Sequence, residues 1–361
     1  MGSGIQKSSG TGYTQSSLQV SEILSGKPNH YSIKHPVIAD PNINEDEWEN
    51  FWQDAVNGTI FNSLRFLSYH APERFNTHHL TFRRNGNLVG LLPAVISEAE
   101  DGAKTWISHP GASYGGPVWS PSLRYHHLES LLDAMINYAH DIGINQIRLT
   151  PPPVIYNEFP EQQLDFALQR KGFEVVRTEL TQGVRLDIPE DELLGSFVNK
   201  TRTAFRRAEK LGLKFRVIEN PTQAEFDRFW EILVENRAGL GVTPAHNRKE
   251  IELLHNLVPE NLMMAVVEYE GQIISLIWNF GCNSRTVLEF YMAHQEPFQK
   301  LRPVPFLTYH SILWARSQGY RYFDFGISSI DSDPTWGLLR FKENFNAHHF
   351  LRQTYQKNIE A

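Results

Sequence analysis

The sequence predicts an α+β (mixed α/β) fold built twice, as two tandem copies of one unit, each a mixed, largely antiparallel sheet flanked by helices. The main evidence is an internal repeat. Asp46-Glu47-Trp48-Glu49-Asn50-Phe51-Trp52 is echoed by Ala224-Glu225-Phe226-Asp227-Arg228-Phe229-Trp230, and each follows an Asx-Pro turn, Asp40-Pro41 or Asn220-Pro221. Arg84-Asn85-Gly86-Asn87-Leu88-Val89 is echoed by Tyr269-Glu270-Gly271-Gln272-Ile273-Ile274, a glycine turn between apolar runs that marks a hairpin. The stretch from Ala139 through Gly143 to Leu149 is echoed by Ala315 through Gly319 to Phe323, a helix end running into a strand. Three echoes in one order point to two copies of a fold. The second observation is the grouping of strands ahead of a crossover helix, which suits α+β sheets better than a doubly wound one. The third is length, since 361 residues can fill two cores.

In chain order, an amphipathic helix over 45–55 opens the first copy, followed by strands over 79–83, 88–97 and 104–108. The glycine-bearing loop His109 to Pro117 turns the chain into a helix over 128–140 and a strand over 146–149, which Pro151-Pro152-Pro153 ends. A helix over 161–171 and a strand over 173–177 close the copy. A strand over 183–186 then leads to a linking helix over 190–211. The second copy reads as helices over 222–237 and 248–257, strands over 262–269, 273–280 and 286–293, a helix over 305–318 and a strand over 322–326. Gly319 sits where a helix C-cap belongs, and the aromatics after it favour extended structure. The domain limits expected are a flexible lead over 1–30, a first domain over 31–188 and a second over 189–361.

Composition narrows the function. A formal charge of −7 argues against wholesale polyanion binding while allowing a local basic face. One cysteine, Cys282, excludes an intramolecular disulfide and a thiolate zinc site, and a reducing cytoplasm fits. No apolar run approaches the roughly 20 residues that span a bilayer. The Gly/Ser-rich start lacks the apolar core of a signal peptide, and Gln6 stands where a myristoylation motif on Gly2 wants Ser or Thr. Paired histidines such as His126-His127 and His348-His349 point different ways, so no metal site is assigned.

Three segments carry candidate chemistry. On the linking helix Arg202, Arg206 and Lys210 fall at i, i+4 and i+8, with Lys200, Arg207 and Lys214 nearby. This stripe is a landing site for phosphate or a solvated face. The turn Gln299-Lys300-Leu301-Arg302-Pro303-Val304-Pro305 precedes a helix N-terminus, where Lys300 and Arg302 can hold an anion or the prolines simply preset the helix. Near the C-terminus, Gly337-Leu338-Leu339-Arg340-Phe341-Lys342-Glu343-Asn344-Phe345 frames one lysine between phenylalanines. A fixed cation can stabilise the oxyanion of an acyl transfer. Asp324, Tyr291 and His294 are the neighbouring groups able to move a proton.

The pair formed by residues 319–326 and 337–345 resembles the closing segment of the Fem-type transferases, a branch of the GNAT acyltransferase superfamily. The likeness is clearest over 197–345 and reaches the first copy through the repeat. It implies two tandem GNAT-like domains and an acyltransferase or aminoacyltransferase that joins an activated donor to an amine. Carried over by motif, Lys342 after Phe341 is catalytic; Asp324 and Tyr291, chosen by their place beside it, are the proton-moving candidates, or a turn cap and a core residue respectively. Lys300 and Arg302 stand at the donor's pyrophosphate position, although the family's glycines are missing there. Asn199-Lys200-Thr201-Arg202 matches the segment before the second domain, placing Lys200, Arg202 and Arg206 on substrate. Tyr114-Gly115-Gly116-Pro117 matches the acceptor loop, with Trp119 available to stack on a sugar or base and Ser120 in place of the family's acid. No tightly bound cofactor is implied. The donor is acyl-CoA or aminoacyl-tRNA, and the acceptor is an amine on a nucleotide-sugar, peptidoglycan-type or polysaccharide precursor. The alternative is a catalytically inert copy of the fold that binds a glycan or nucleotide-linked ligand.

Overall fold

The computed structural model describes residues 35–360, so the lead expected over 1–30 lies outside the described residues. The chain runs β1 (Ile38–Asp40), α1 (Glu45–Asp54), α2 (Leu64–Leu67), β2 (Leu80–Arg84), β3 (Asn87–Leu92), β4 (Val95–Glu98), β5 (Lys104–Ser108) and β6 (Val118–Trp119). It continues through α3 (Tyr125–Asp141), β7 (Gln146–Leu149), α4 (Gln163–Arg170) and β8 (Glu174–Arg185). The second half opens with α5 (Glu190–Ser196), α6 (Asn199–Lys210), β9 (Lys214–Ile218), α7 (Gln223–Gly239), α8 (Arg248–Leu257), β10 (Leu262–Tyr269), β11 (Gln272–Gly281) and β12 (Thr286–His294). It closes with α9 (Pro303–Ser317), β13 (Tyr322–Ile327), β14 (Ser329–Ile330), β15 (Asp333–Pro334), α10 (Trp336–Glu343) and β16 (His348–Asn358).

The mixed, mostly antiparallel architecture is as expected, and the repeat is real in three dimensions. In each half one parallel strand pair is joined by a crossover helix: β5 and β7 through α3, β12 and β13 through α9. Each half then adds a helix and a final strand, and these final strands are exchanged. β8, from the first half, pairs with β13; β16, from the second, pairs with β7; and the two pair with each other. The exchange makes a single ten-stranded sheet, β4-β5-β7-β16-β8-β13-β12-β11-β10-β9, across the position 188/189 where the halves meet in sequence. A four-stranded sheet, β1-β2-β3-β6, covers the first half.

Three readings of the sequence change. The strands expected over 173–177 and 183–186 are one strand, β8. Its middle is polar and so does not look extended in sequence, yet its side chains are used up by partners: Glu179 by Arg352, Thr181 by Asp324, Gln182 by Ser328. The linking helix is two, broken at Phe197, and Arg202 bridges the break by donating to the carbonyls of Gly195 at 2.9 Å and Phe197 at 2.8 Å. The strand over 88–97 splits at Pro93 into β3 and β4, which belong to different sheets.

The halves are joined by the turn between β11 and β12. Asn283 Nδ2 donates to the carbonyls of Gly58 and Tyr156, each at 2.9 Å, and Arg285 Nε donates to the Tyr156 carbonyl at 3.1 Å. The Ile60 amide donates to the Cys282 carbonyl at 2.7 Å. A core cluster spans this junction, with Phe61 and Tyr156 packed beside Trp278 and Phe280. Cys282 is a buried residue of that core whose thiol is pushed up by desolvation and by the nearby negative charge of Asp324.

Candidate active site

Two local features of β12 open a cleft. Its parallel pairing with β13 holds only from Thr286–Leu288 against Tyr322–Asp324. Beyond that point β12 continues beside β11, while β13 bends past Gly326 (φ 72°) toward β8. Within β12, Trp278 faces Tyr291 and Asn279 faces Glu289, so Phe290 is an extra residue, a β-bulge. The bulge keeps two successive aromatics, Phe290 and Tyr291, on the face packed against α7, while Met292 returns to the α9 face.

Lys342 stands at the cleft. Leu339 and Lys342, three apart on α10, form its buried face, and Phe341 and Phe345 pack on Phe325 with ring centroids 6.5 and 5.8 Å away. The lysine is 3% exposed, and its Nζ donates to the carbonyls of Gly326 at 2.7 Å and Ile327 at 2.8 Å. An ammonium has three protons, so one donor is left for another acceptor. Burial pulls the Lys342 pKa down, opposed by the negative charges of Glu289 and Asp324. Glu289 answers it: burial pushes its carboxyl up, the cations Lys342 and Arg237 pull it back, and its Oε2 is sealed from solvent without a hydrogen-bond partner.

Sequence reasoning missed Glu289. In Thr286-Val287-Leu288-Glu289-Phe290-Tyr291 it reads as the solvent-side member of an alternating strand. The available signal was an acid set in the most apolar group of strands in the chain.

Asp324, expected to move a proton, is fully buried and accepts four hydrogen bonds: from Thr181 Oγ1 at 2.6 Å, the Gly326 amide at 2.8 Å, Tyr156 OH at 2.6 Å and Tyr114 OH at 3.2 Å. A carboxylate held by four donors from both halves is a fixed charge that positions its surroundings. Tyr291 lies on the other face of β12, where its hydroxyl accepts from the His246 amide and meets His246 Nδ1, both at 3.0 Å. Arg237 sits over its ring, 5.7 Å from the centroid.

A cavity of about 590 Å³ lies between α6, the α9 N-terminus and α10. It brings together Lys200, Arg302 and Phe341, distant in sequence, and adds Arg207, His294 and Asn344. Arg302 adopts the left-handed conformation (φ 63°) at the N-cap of α9. Lys300 and Arg206, both exposed, are not among its lining residues, and Arg202 is spent on backbone carbonyls. The predicted acceptor loop is packed tightly inside the protein. Tyr114 reaches Asp324, and the Gly116 amide donates to Ser108 Oγ at 2.6 Å with φ at +88°. Trp119 is 1% exposed in the core of the first half and touches a separate cavity of about 220 Å³ beside Pro151-Pro152-Pro153. Among the described residues, no helix is long and apolar enough to cross a membrane.

Residues 195–343 match the family model described as an acetyltransferase (GNAT) domain. No curated protein matches the chain. Among solved structures, the crystal structure of FemX is similar with a TM-score of 0.70 at 15% identity, covering 89% of this chain and 97% of that one. The structure of L-PGS from Bacillus licheniformis has a TM-score of 0.55 at 13% identity, covering 87% and 91%. A tandem GNAT protein from the clavulanic acid biosynthesis pathway has a TM-score of 0.51 at 11% identity, covering 90% and 99%. The resemblance to Fem-type transferases drawn from residues 319–345 therefore holds in the fold, which is that of tandem GNAT domains.

Proposed function

We propose that this protein is an acyltransferase that forms an amide, moving an acyl or aminoacyl group from an activated donor to an amine. The observation that carries the reading is the state of Lys342: a buried ammonium clamped by two backbone carbonyls, with one proton uncommitted, at the point where β12 and β13 part. As the amine nitrogen attacks the donor carbonyl carbon, the carbonyl oxygen becomes an oxyanion, and the third Lys342 proton donates to it. Because the lysine is already fixed, this costs little reorganisation during reaction. Glu289, whose carboxyl is raised by burial, takes the proton released by the attacking amine. The intermediate then collapses by breaking the C–S bond of a thioester or the C–O bond of an aminoacyl ester, and the proton taken up by Glu289 is returned to the leaving thiolate or alkoxide.

The donor is acyl-CoA or aminoacyl-tRNA. Both carry phosphate, and Lys200, Arg207 and Arg302 at the 590 Å³ cavity supply positive charge for it, with Phe341 and Phe345 as an apolar wall toward Lys342. Arg206 and Lys210 continue that charge over the exposed face of α6, which a polynucleotide could follow and a CoA could not. The acceptor is an amine on a cell-wall or polysaccharide precursor.

The test is calorimetric titration with CoA and with a charged tRNA mixture at low and moderate salt, followed by mass spectrometry for an amide product. Saturable CoA binding that weakens in Arg302→Ala supports the thioester route. Salt-sensitive tRNA binding that weakens in Arg206→Ala supports the aminoacyl route. Saturable ligand binding with no amide from any donor, and no change in binding on Lys342→Ala, would sink the enzymatic reading in favour of an inert binding module.

A further inference from the structure

We propose that the cavity of about 220 Å³ beside Pro151-Pro152-Pro153 binds a small organic ammonium, paired with the carboxylate of Asp165. None of the groups that hold Lys342 lines it, and the inference does not rest on the transferase reading.

The exchange of strands builds this site. α4 of the first half supplies Asp165, and β16 of the second supplies Gln353 and Tyr355. Asp165 is half-buried and its Oδ1 accepts from Tyr355 OH at 2.7 Å. Burial pushes its carboxyl up, opposed by that hydrogen bond and by its own backbone amide, and no cation pulls it down. Tyr355 OH also stands 2.9 Å from Gln353 Oε1. The hydroxyl has one proton for two acceptors, so an ionised Asp165 takes it and Gln353 Oε1 goes without.

The rest of the wall is richer in acceptors than in donors. Three successive prolines carry three carbonyls and no N–H. Asn157 spends its Nδ2 on the Glu161 carbonyl at 2.9 Å, which leaves its Oδ1. The Asn57 side chain is used at both ends, by the Pro117 carbonyl and the Trp119 amide. Trp119 Nε1 is sealed from solvent, and His349 Nε2 is engaged by Gln182 and Glu343. Gln162 and Gln353 each bring a donor group and an acceptor with it. A half-buried carboxylate in such a wall calls for a ligand with donors and positive charge. An anion would be repelled by Asp165. One carboxylate is also too little charge for calcium, which gathers roughly six to eight oxygens, and one ion takes up a small part of the space. An alkylammonium uses both. Its N–H groups meet Asp165 and the neighbouring oxygens, and its carbon skeleton lies on Val154 and on Leu351, which is 53% exposed.

The experiment is calorimetric titration of the full chain at pH 7 with glucosamine and ethanolamine. Glucose and ethylene glycol, of like size but without the ammonium, are the controls. Both amines are expected to bind saturably and both controls not to. Asp165→Asn keeps the shape and the Tyr355 contact, and should weaken the amines at least about tenfold, the loss of one charge-assisted hydrogen bond. Gln162→Lys, at an exposed position lining the cavity, tethers a competing ammonium there and should weaken them too. If Asp165→Asn does not fold, Gln162→Lys decides. Glucose binding as tightly as glucosamine, neither amine binding, or calcium binding in preference to both would overturn the inference. So would amine binding that is unchanged in variants that melt like the parent.

Discussion

The hydroxyl of Tyr156 donates to Oδ2 of Asp324 across 2.6 Å, tying a loop of the first half to the strand that forms one wall of the cleft in the second. Both residues are fully buried. The same carboxylate is held by Thr181 of the exchanged strand β8 and by the amide of Gly326, whose carbonyl holds Lys342. The lysine's position thus depends on groups supplied by both halves.

Tyr156→Phe should therefore destabilise the protein by about 1.5–3 kcal/mol, the range for a hydrogen bond to a charged group. Urea unfolding measures it. A change within about 0.5 kcal/mol would mean that Asp324 does not need this donor.

Lys342→Met removes the cation and keeps most of the volume. Turnover should fall by about 10²–10³-fold, the cost of losing one oxyanion donor. The melting temperature should fall as well, because the Gly326 and Ile327 carbonyls lose their donor and the buried Glu289 carboxyl loses its neighbouring cation. Steady-state kinetics beside a thermal melt separates the two effects, and a variant that melts normally and turns over normally removes Lys342 from the chemistry.

The pH dependence follows from the charge states the reaction needs, Glu289 ionised and Lys342 protonated. Glu289 is raised to about 7 and Lys342 lowered to about 8, so kcat/KM should climb as pH passes the first value and decline beyond the second, a narrow bell whose limbs belong to the pair. Glu289→Gln should abolish the acid limb and slow the reaction. A profile in the parent that stays flat from well below the first value to well above the second would contradict this assignment.

Stability should fall in mild acid. Burial lowers the pKa of His79 to about 4, of His109 to about 3 and of His246 to about 4, against 6.5 in an unfolded chain. Below 6.5 the unfolded chain binds more protons than the folded one, so each group removes about 1.4 kcal/mol per pH unit until its folded value is reached. Denaturation midpoints measured at pH 7, 6 and 5 should decline progressively, and His246→Gln should flatten the slope.

Arg207 and Arg202 lie on one helix and should separate. Arg207→Ala should weaken donor binding with little effect on folding, because its side chain lines the cavity. Arg202→Ala should lower stability with little effect on the donor, because it closes the end of α5. Calorimetry on both variants decides, and equal effects on donor affinity would return Arg202 to the binding surface.

The sequence by itself determined the two-copy architecture, most of the elements and the lysine. The hydrophobic repeat, the glycine turns and the Phe341-Lys342 pair are local properties of the chain, and local periodicity needs no knowledge of what packs on it. Only the tertiary structure decided that the final strands are exchanged, since the sequence shows β8 in two pieces and does not mark β16, and the partners of both lie in the opposite half. It also decided the roles of the acids. Asp324 and Glu289 each sit in an apolar strand, yet one meets four donors and the other an unsatisfied oxygen beside a buried lysine. A carboxylate's chemistry is set by the partners and solvent around it, and for Asp324 those include Tyr156 and Thr181, each more than a hundred positions away in the chain.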